Sequence, residues 1–213
     1  MEGEGEMDEA AGLLFPRPVG YEEALERAWS ALASQNPQDV ADRKGLFVQD
    51  GCVVISFLGQ TYFADLSARR VTDASGKEVY PFLRVLLLHY ICGSSSAMPT
   101  GEWLSFRQLR GGETYYPAFA ARTVKRLKER FGGREEEFVA ASKSLGGRSL
   151  AFSDISFAFD VFPYVVIGVV LNKATEEFGA EAVVLFDSAA AEHLATEDLA
   201  VCGAMLVGRL VKG

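Results

Sequence analysis

The sequence predicts an α+β fold in which antiparallel β-hairpins pack around a buried central helix, with further helices at the periphery. Two pairs of extended segments indicate the hairpins: Cys52–Phe57 with Thr61–Leu66, and Tyr164–Leu171 with Ala182–Phe186. The segment Phe82–Cys92 is apolar around nearly its whole circumference, which is typical of a helix buried on most sides. No linker-like stretch follows residue 20, so residues 20–213 are predicted to form a single domain.

Local signals place the elements of the first half. The apolar residues of YEEALERAWSALA recur at helical spacing and predict a helix over 21–33. Asn36 and Pro37 predict the start of a short second helix that ends near Gly45, because Asn caps free amides and Pro fits the first helical position. The dipeptide Gly59-Gln60 predicts a type II′ hairpin turn, and Pro81 is predicted to open the central helix.

The second half alternates between loop, helix and strand signals. Residues 97–118 are predicted to be a loop because of Pro99, Gly101, Gly111-Gly112 and Pro117. An apolar stripe predicts a helix over 118–131, and a shorter helix with an acidic start is predicted over 135–145. Thr196 is predicted to begin a last helix that runs to about Arg209.

The net charge of −8 is distributed unevenly. Five negative charges lie in the first ten residues, on Glu2, Glu4, Glu6, Asp8 and Glu9, which leaves −3 for the rest of the chain. Residues 1–19 are therefore predicted to be an acidic, disordered tail. The overall acidity argues against a nucleic-acid partner.

Cysteine usage and hydropathy favour a soluble protein of the cytoplasm. Cys52, Cys92 and Cys202 are far apart and form no CxxC or Cys/His pattern, so we expect buried free thiols and no metal site. The N-terminus has no basic segment followed by an apolar one, and no apolar run approaches the roughly 18 residues of a membrane span. We therefore expect a cytoplasmic protein with no membrane segment.

His89 lies on the predicted central helix and has two interpretations. It is either a core histidine hydrogen-bonded to a neighbour, or a polar group at the floor of a pocket, where it could also be an axial ligand to a metal cofactor. The second histidine, His193, falls just before the last helix and is expected to be a solvated turn residue.

The segment 103–122 is the strongest candidate for ligand binding. Trp103, Tyr115 and Tyr116 supply flat apolar rings with polar edges. Arg107 and Arg122 supply guanidinium groups that pair with carboxylates or phosphates. This combination suits a planar anionic ligand or a partner surface, whereas the alternative is that the rings pack onto the core and the arginines point to water. With the histidine of the central helix, these residues form the predicted ligand-binding set.

The charge distribution supports a second hypothesis, a protein-interaction domain. Residues 105–134 carry eight basic side chains and only two acidic ones, Glu113 and Glu129, so the helix predicted over 118–131 is basic. That helix could bind a protein partner. Residues 174–198 carry seven acidic side chains and no basic one, so self-complementary packing or a homodimer explains the charge distribution as well as an anionic partner does.

Motifs of familiar enzymes do not occur in the sequence: there is no GxSxG, Walker A, GxGxxG or HExxH. We therefore favour a non-enzymatic function and assign no catalytic residue. An enzyme of unfamiliar type, with His89 and either Tyr115 or Tyr116 as acid and base, is the alternative.

Four separated stretches resemble one bacterial family. They are LLLHY (Leu86–Tyr90), TGEWLSFRQLRGGETYYPAFAAR (Thr100–Arg122), EEFGAEAVVLFD (Glu176–Asp187) and HLATEDLAV (His193–Val201). In this order they resemble the family catalogued as domain of unknown function 3786, over most of the chain after about residue 20. The family supplies no catalytic residues to carry over.

The resemblance implies a role near cofactor metabolism. The family is widespread in anaerobes, and some of its members are similar to fusions with a small iron–sulfur domain of corrinoid methyl-transfer proteins. This implies an accessory domain that holds a corrinoid- or haem-like cofactor, or that binds a partner of one-carbon or redox metabolism. The chain lacks the cysteine-rich appendage, and Asn172-Lys173-Ala174-Thr175 stands where the family more typically has an acidic turn with Trp.

Overall fold

The computed structural model describes residues 20–151, 153, 155–173 and 179–213. The chain forms two compact units, one that ends at Ser96 and one that begins at Ala97. Each combines helices with an antiparallel sheet, so the predicted α+β class is confirmed. The predicted tail over 1–19 lies outside the described residues, and the single-domain organisation stays a prediction. Among the described residues, no helix is both long and apolar enough to cross a membrane.

The first unit packs helices against a four-stranded sheet. Its helices are α1 (Tyr21–Leu32), α2 (Pro37–Lys44) and α3 (Pro81–Cys92), and its strands are β1 (Phe47–Gln49), β2 (Cys52–Phe57), β3 (Gln60–Asp65) and β4 (Arg70–Asp73). The strands are ordered β1-β2-β3-β4, and all neighbours are antiparallel. Helix α1 packs against α3, and α2 packs against β1 and β2.

Alternation along the strands sets the buried face of this sheet. Val53, Ile55 and Phe57 of β2 are buried and point to one face, while Ser56 is exposed on the other. Ile55 pairs with Tyr62 of β3, so that the tyrosine ring joins the same buried face. Val54, on the same face as Ser56, is also buried, so burial along β2 follows the period of two only in part.

The two helix starts that the sequence predicts in this unit are confirmed. The Oδ1 of Asn36 accepts a hydrogen bond from the Gln38 amide at 2.8 Å, and Pro37 is the first residue of α2. Gly45 ends α2 with a φ of 65°, a left-handed conformation that glycine adopts without steric cost. Pro81 is likewise the first residue of α3.

The β2–β3 turn differs from the predicted one by one residue. Phe57 pairs with Gln60, so the two turn residues are Leu58 and Gly59, and both have positive φ (49° and 75°). Two left-handed residues are what a type I′ turn requires, so the predicted type II′ turn is wrong. The prediction failed because Leu58 adopts a conformation that a leucine side chain disfavours and that its identity does not signal.

Lys44, the last residue of α2, is fully buried. Its Nζ donates to the carbonyl of Ser95 at 3.0 Å and lies 5.1 Å from the ring centroid of Tyr90. The Tyr90 hydroxyl donates to the Lys44 carbonyl at 2.9 Å. Burial, and to a lesser extent the positive charge of Arg43, lowers the pKa of Lys44 to about 8. Arg43 itself donates to the carbonyl of Gly93 at 3.1 Å, so both bases hold the chain that follows α3.

The second unit packs helices against a five-stranded antiparallel sheet. The strands are β5 (Trp103–Ser105), β6 (Arg148–Ser149), β7 (Ile155–Phe162), β8 (Val165–Asn172) and β9 (Glu181–Asp187), in the order β5-β9-β8-β7-β6. The helices are α4 (Gly112–Arg122), α5 (Val124–Phe131), α6 (Glu135–Ser144), α7 (Ala190–His193) and α8 (Thr196–Lys212). A short 3₁₀ turn, Phe106–Gln108, joins β5 to α4.

Phenylalanine rings join this sheet to its helices. The Phe106 and Phe119 rings stack with centroids 4.0 Å apart and planes 6° from parallel. Phe186 of β9 lies 6.0 Å from the first ring and 5.9 Å from the second. Phe138 of α6 contacts Phe157 of β7 edge-on at 5.9 Å. Stacked and tilted ring pairs are favourable arrangements, and these rings form the aromatic core of the unit.

The predicted loop over 97–118 is wrong from Trp103 onward, because this part forms β5, the 3₁₀ turn and the start of α4. The two glycines that indicate a loop begin a helix instead. Gly111 precedes α4 in a left-handed conformation (φ 75°). A Cβ on Gly112 would lie 1.8 Å from the carbonyl oxygen of Phe106, so only glycine permits this close approach of two backbone segments. Pro117 lies inside α4.

The helix predicted over 118–131 is two helices that meet at Thr123. This residue leaves the helical conformation (φ −125°, ψ −81°), and its buried hydroxyl donates to the Phe119 carbonyl at 2.7 Å. The break allows α4 to bury Phe119 while α5 buries Leu127 and Phe131. The predicted helices over 135–145 and from Thr196 are confirmed as α6 and α8.

We expect Gly168→Ala to destabilise the second unit by about 1–3 kcal/mol, the usual cost of overpacking a core. Gly168 lies in β8, and a Cβ there would come within 2.9 Å of Cζ3 in the Trp103 ring. The control is Gly179→Ala, since a Cβ at Gly179 meets no atom within 4 Å among the described residues, its chain neighbours apart. Urea unfolding of both variants measures the difference, and equal stability of the two would contradict this account of the Trp103 contact.

We expect Lys44→Met to remove a pH dependence of stability. In the unfolded chain the lysine keeps its proton up to its ordinary pKa of 10.5, but in the folded chain only up to about 8. Between these values the unfolded state binds more protons, so the unfolding free energy of the wild-type chain rises with pH, by at most about 1.4 kcal/mol per pH unit. Below the folded pKa both states are protonated, and the cost of the buried charge is constant.

The measurement is the difference in unfolding free energy between wild type and Lys44→Met, taken from about pH 6 to about pH 9. The difference should be flat at the acidic end and should rise in favour of the wild type above about pH 8. Burial raises the pKa values of the Cys92 and Cys202 thiols, but both thiols occur in both proteins. A difference that stays flat across the range would show that Lys44 titrates normally.

Candidate functional site

Arg107 and Tyr116 form the centre of the candidate site. The guanidinium carbon of Arg107 lies 3.7 Å from the Tyr116 ring centroid, and the same guanidinium is in an ion pair with Glu113. A capping box fixes the 3₁₀ turn that carries Arg107. The backbone amide and the hydroxyl of Ser105 donate to Oε1 of Gln108 at 2.8 and 2.9 Å. A guanidinium held over an aromatic ring by a carboxylate is pre-oriented, so its position does not depend on a ligand.

Tyr115 and Arg122 lie on the exposed part of α4. The side chain of Tyr115 is 50% exposed, and Arg122 ends the helix as an exposed residue. They are seven residues apart, so two helical turns place them on the same side of α4. We call Arg107, Tyr115, Tyr116 and Arg122 the arginine–aromatic surface.

Trp103 lies on the opposite face of the sheet from Tyr116. Ile167 is paired with Phe186, so both lie on the same face of the sheet. The next residue of β8, Gly168, therefore lies on the opposite face. The Trp103 ring packs against Gly168, whereas Tyr116 contacts Phe119 on the helical side, with centroids 6.5 Å apart. Four of the six predicted ligand-binding residues therefore lie within one segment, residues 107–122. Trp103 lies on the other face of the sheet and is not beside them.

His89 belongs to the first unit, where it is half-buried on α3 between two fully buried residues, Leu88 and Tyr90. Cys92, one turn further on, donates its thiol to the Ala28 carbonyl at 3.4 Å. Burial raises the pKa of Cys92 to about 11, so the thiol stays protonated and is not a ready metal ligand. No group of three or more His, Cys, Asp or Glu within the described ranges could hold a metal ion. The ligand role of His89 stays a prediction.

The basic side chains of α5 are largely matched by acids of the same unit. Lys128 is paired with Glu181 of β9 at 2.7 Å, and Lys125 lies 3.8 Å from Glu129. Arg130 of α5 forms a further pair with a glutamate of α6. Internal pairing lowers the net charge that this helix presents to a partner, which weakens the case for it as an interaction surface.

His193 is buried, with 4% of its surface exposed, so the expected solvated turn residue is wrong. Its Nε2 lies 2.8 Å from the carbonyl oxygen of Ala97, and the centroids of its ring and the Tyr164 ring are 5.7 Å apart. The reason is the short helix α7, whose buried Ala190 places the histidine three residues later on the inward side. The sequence carries a weak signal for this, because Ala189, Ala190, His193 and Leu194 recur at helical spacing.

An open cleft of about 590 Å³ adjoins this histidine. It is lined by Arg110 and Gly111 on one side and by the continuous segment 191–197 on the other. The hydroxyl of Thr196 donates to the Arg110 carbonyl at 2.8 Å and links the two sides. Sequence reasoning missed the cleft because its walls are 80 or more residues apart in the chain.

Residues 36–209 match the family described as "Domain of unknown function (DUF3786)". The chain belongs to this family. The match confirms the resemblance seen in the sequence, and both walls of the cleft and the whole arginine–aromatic surface lie within the matched range. No curated protein and no solved structure shows a significant match to the chain.

In this DUF3786 chain a buried carboxylate secures the segment before Trp103. Asp187 is 1% exposed. One of its oxygens accepts the amides of Thr100 and Ala189, both at 3.0 Å, and the other accepts the amide of Gly101 at 2.7 Å. The Thr100 hydroxyl also donates, at 3.3 Å. Three amides on one carboxylate satisfy the polar groups of a chain segment that has no regular structure of its own.

We expect Asp187→Asn to lower the free energy of unfolding by about 2–3 kcal/mol. The side-chain NH2 of the asparagine would face a backbone N–H that an Asp187 oxygen accepts in the wild-type protein. The matched control is Asp160→Asn, which removes an exposed carboxylate paired with Arg148 and should cost below about 1 kcal/mol. Urea unfolding compares the two. Similar small losses in both variants would mean that Asp187 does not hold the Thr100–Gly101 segment.

Proposed function

We propose that this member of the DUF3786 family is a non-enzymatic binding domain that holds a planar or anionic cofactor of the corrinoid or haem type. The observation that supports the proposal is the arginine–aromatic surface, in which Arg107 lies 3.7 Å above the Tyr116 ring while Tyr115 remains half exposed. A macrocycle with carboxylate or phosphate side groups has the two features that such a surface recognises: a flat face and peripheral negative charge.

Each residue of the surface has a distinct part in this proposal. Tyr115 offers an exposed ring against which the macrocycle stacks. Arg122, on the same side of α4, pairs with a peripheral carboxylate or phosphate. Arg107 already bridges Tyr116 and Glu113, so its part is to hold the Tyr116 ring in place, because its charge is already paired. The surface holds the ligand and performs no bond-making step.

The setting follows from the family resemblance. Members of the family are widespread in anaerobic bacteria, and some are similar to fusions with an iron–sulfur domain of corrinoid methyl-transfer proteins. We place the domain in the cytoplasm of such a bacterium, as an accessory protein of one-carbon or redox metabolism. It would deliver or protect the cofactor for a separate enzyme, or bind the protein that carries the cofactor.

We expect the full chain to bind haemin or hydroxocobalamin. The variants Tyr115→Ala and Arg122→Ala should each weaken that binding at least about ten-fold, because each removes one recognition element. Absorbance titration measures the affinity, and the ligand-dependent rise in melting temperature provides an independent readout.

The matched control for this experiment is Lys125→Ala. It removes an exposed positive charge on the neighbouring helix, where the charge is balanced by Glu129, and should leave the affinity unchanged. Two results would reject the proposal: no binding of either cofactor by the wild-type chain, or equal binding by all three variants. The first result would leave capture of a cofactor-carrying protein as the remaining use of this surface.

A further inference from the structure

The cleft beside His193 differs in chemistry from the arginine–aromatic surface. Its volume of about 590 Å³ lies within the range of small-molecule sites in proteins. The surface around Tyr115 is the exposed side of a helix, whereas the cleft is a recess between two separate chain segments. A recess between two segments contacts a small ligand from two sides, whereas a single helix face contacts it from only one.

Hydrogen bonds fix both walls of the cleft. On one wall the carbonyl of Arg110 accepts the Thr196 hydroxyl at 2.8 Å. On the other, the imidazole of His193 is 4% exposed, and its Nε2 lies 2.8 Å from the Ala97 carbonyl oxygen. The glycine at position 111 is left-handed, so a side chain there would strain the turn that carries Arg110. The cleft is thus formed before any ligand arrives, which lowers the entropy cost of binding.

Both signs of charge line this recess. Arg110 contributes a guanidinium group, and Glu192 and Glu197 contribute carboxylates. Within the described residues, no ion pair joins Arg110 or Glu197 to another side chain. The rest of the lining combines His193 and Thr196 with small apolar residues: Gly111, Ala191, Leu194 and Ala195. Arg110 and Glu197 thus offer charges of opposite sign, which favours a ligand that carries both signs over a ligand that carries negative charge alone.

We propose that the cleft binds a small zwitterion that carries both a carboxylate and an ammonium group, such as a free α-amino acid. The carboxylate pairs with Arg110, and the ammonium group lies against Glu197 and Glu192. The short apolar lining accepts the carbon atoms between and beside the two charges. This site is independent of the proposed cofactor surface, and neither depends on the other for its test.

Three probes, each with three carbon atoms, separate the two charges: L-alanine has both, propionate only the carboxylate, and propylamine only the ammonium group. Each is titrated into the full ¹⁵N-labelled chain, with the amides of residues 110–112 and 191–197 followed by NMR. We expect saturable shifts with L-alanine in the millimolar range, and binding at least about ten-fold weaker for each probe that has a single charge.

Two variants assign the charges. Arg110→Gln should reduce L-alanine binding to the level of propylamine, and Glu197→Gln should reduce propylamine binding while sparing propionate. The matched controls are Arg134→Gln and Glu102→Gln, which alter exposed charges outside the cleft and should change nothing.

Three outcomes overturn the proposal. One is that no probe shifts these amides. Another is that propionate binds as well as L-alanine, which would describe an anion site only. The third is that Arg110→Gln leaves L-alanine binding unchanged, since the carboxylate would then have a different partner.

Discussion

The stacked rings of Phe106 and Phe119 determine where the candidate residues of the second unit lie. Their centroids are 4.0 Å apart, and Phe186 of the sheet contacts both rings. Arg107 follows one ring directly, and Tyr116 precedes the other by three residues, about one helical turn. Helix α8 packs closely against the Phe119 ring at Gly203, where a Cβ would lie 3.0 Å from that ring. Only a glycine allows α8 to approach this closely without a shift of the ring.

Elements with a strong local signal could be predicted from the sequence, and the reason is physical. Asn36 and Pro37 specify the start of α2 through groups within two residues of each other. The run Val165–Leu171 is buried throughout, as expected for a strand covered on both faces. The start of α2 is formed by groups within the segment itself, and the apolar composition of β8 alone indicates that both its faces are buried. These elements establish the α+β class without knowledge of the long-range contacts.

Elements that depend on distant partners could not be predicted. Gly111-Gly112 indicates a loop by composition, but Gly112 is needed because the Phe106 carbonyl lies where its Cβ would be. The left-handed Leu58 and the break at Thr123 are likewise imposed by pairing and packing rather than by residue identity. The candidate site shows the same limit: the residue types of the arginine–aromatic surface were identified, but the side of the sheet on which Trp103 lies depends on how β5 pairs with β9.

One short turn serves both candidate sites of this unit. Arg107, within the 3₁₀ turn, reaches Tyr116, and Arg110, just beyond it, lines the cleft. Phe106, at the start of the same turn, is 1% exposed and belongs to the aromatic core. Any change to Phe106 would therefore move both arginines and would not distinguish the two functions. The exposed residues differ, because Tyr115 and Glu197 lie on separate helices and each can be altered while the stacked rings, and hence the other site, keep their positions.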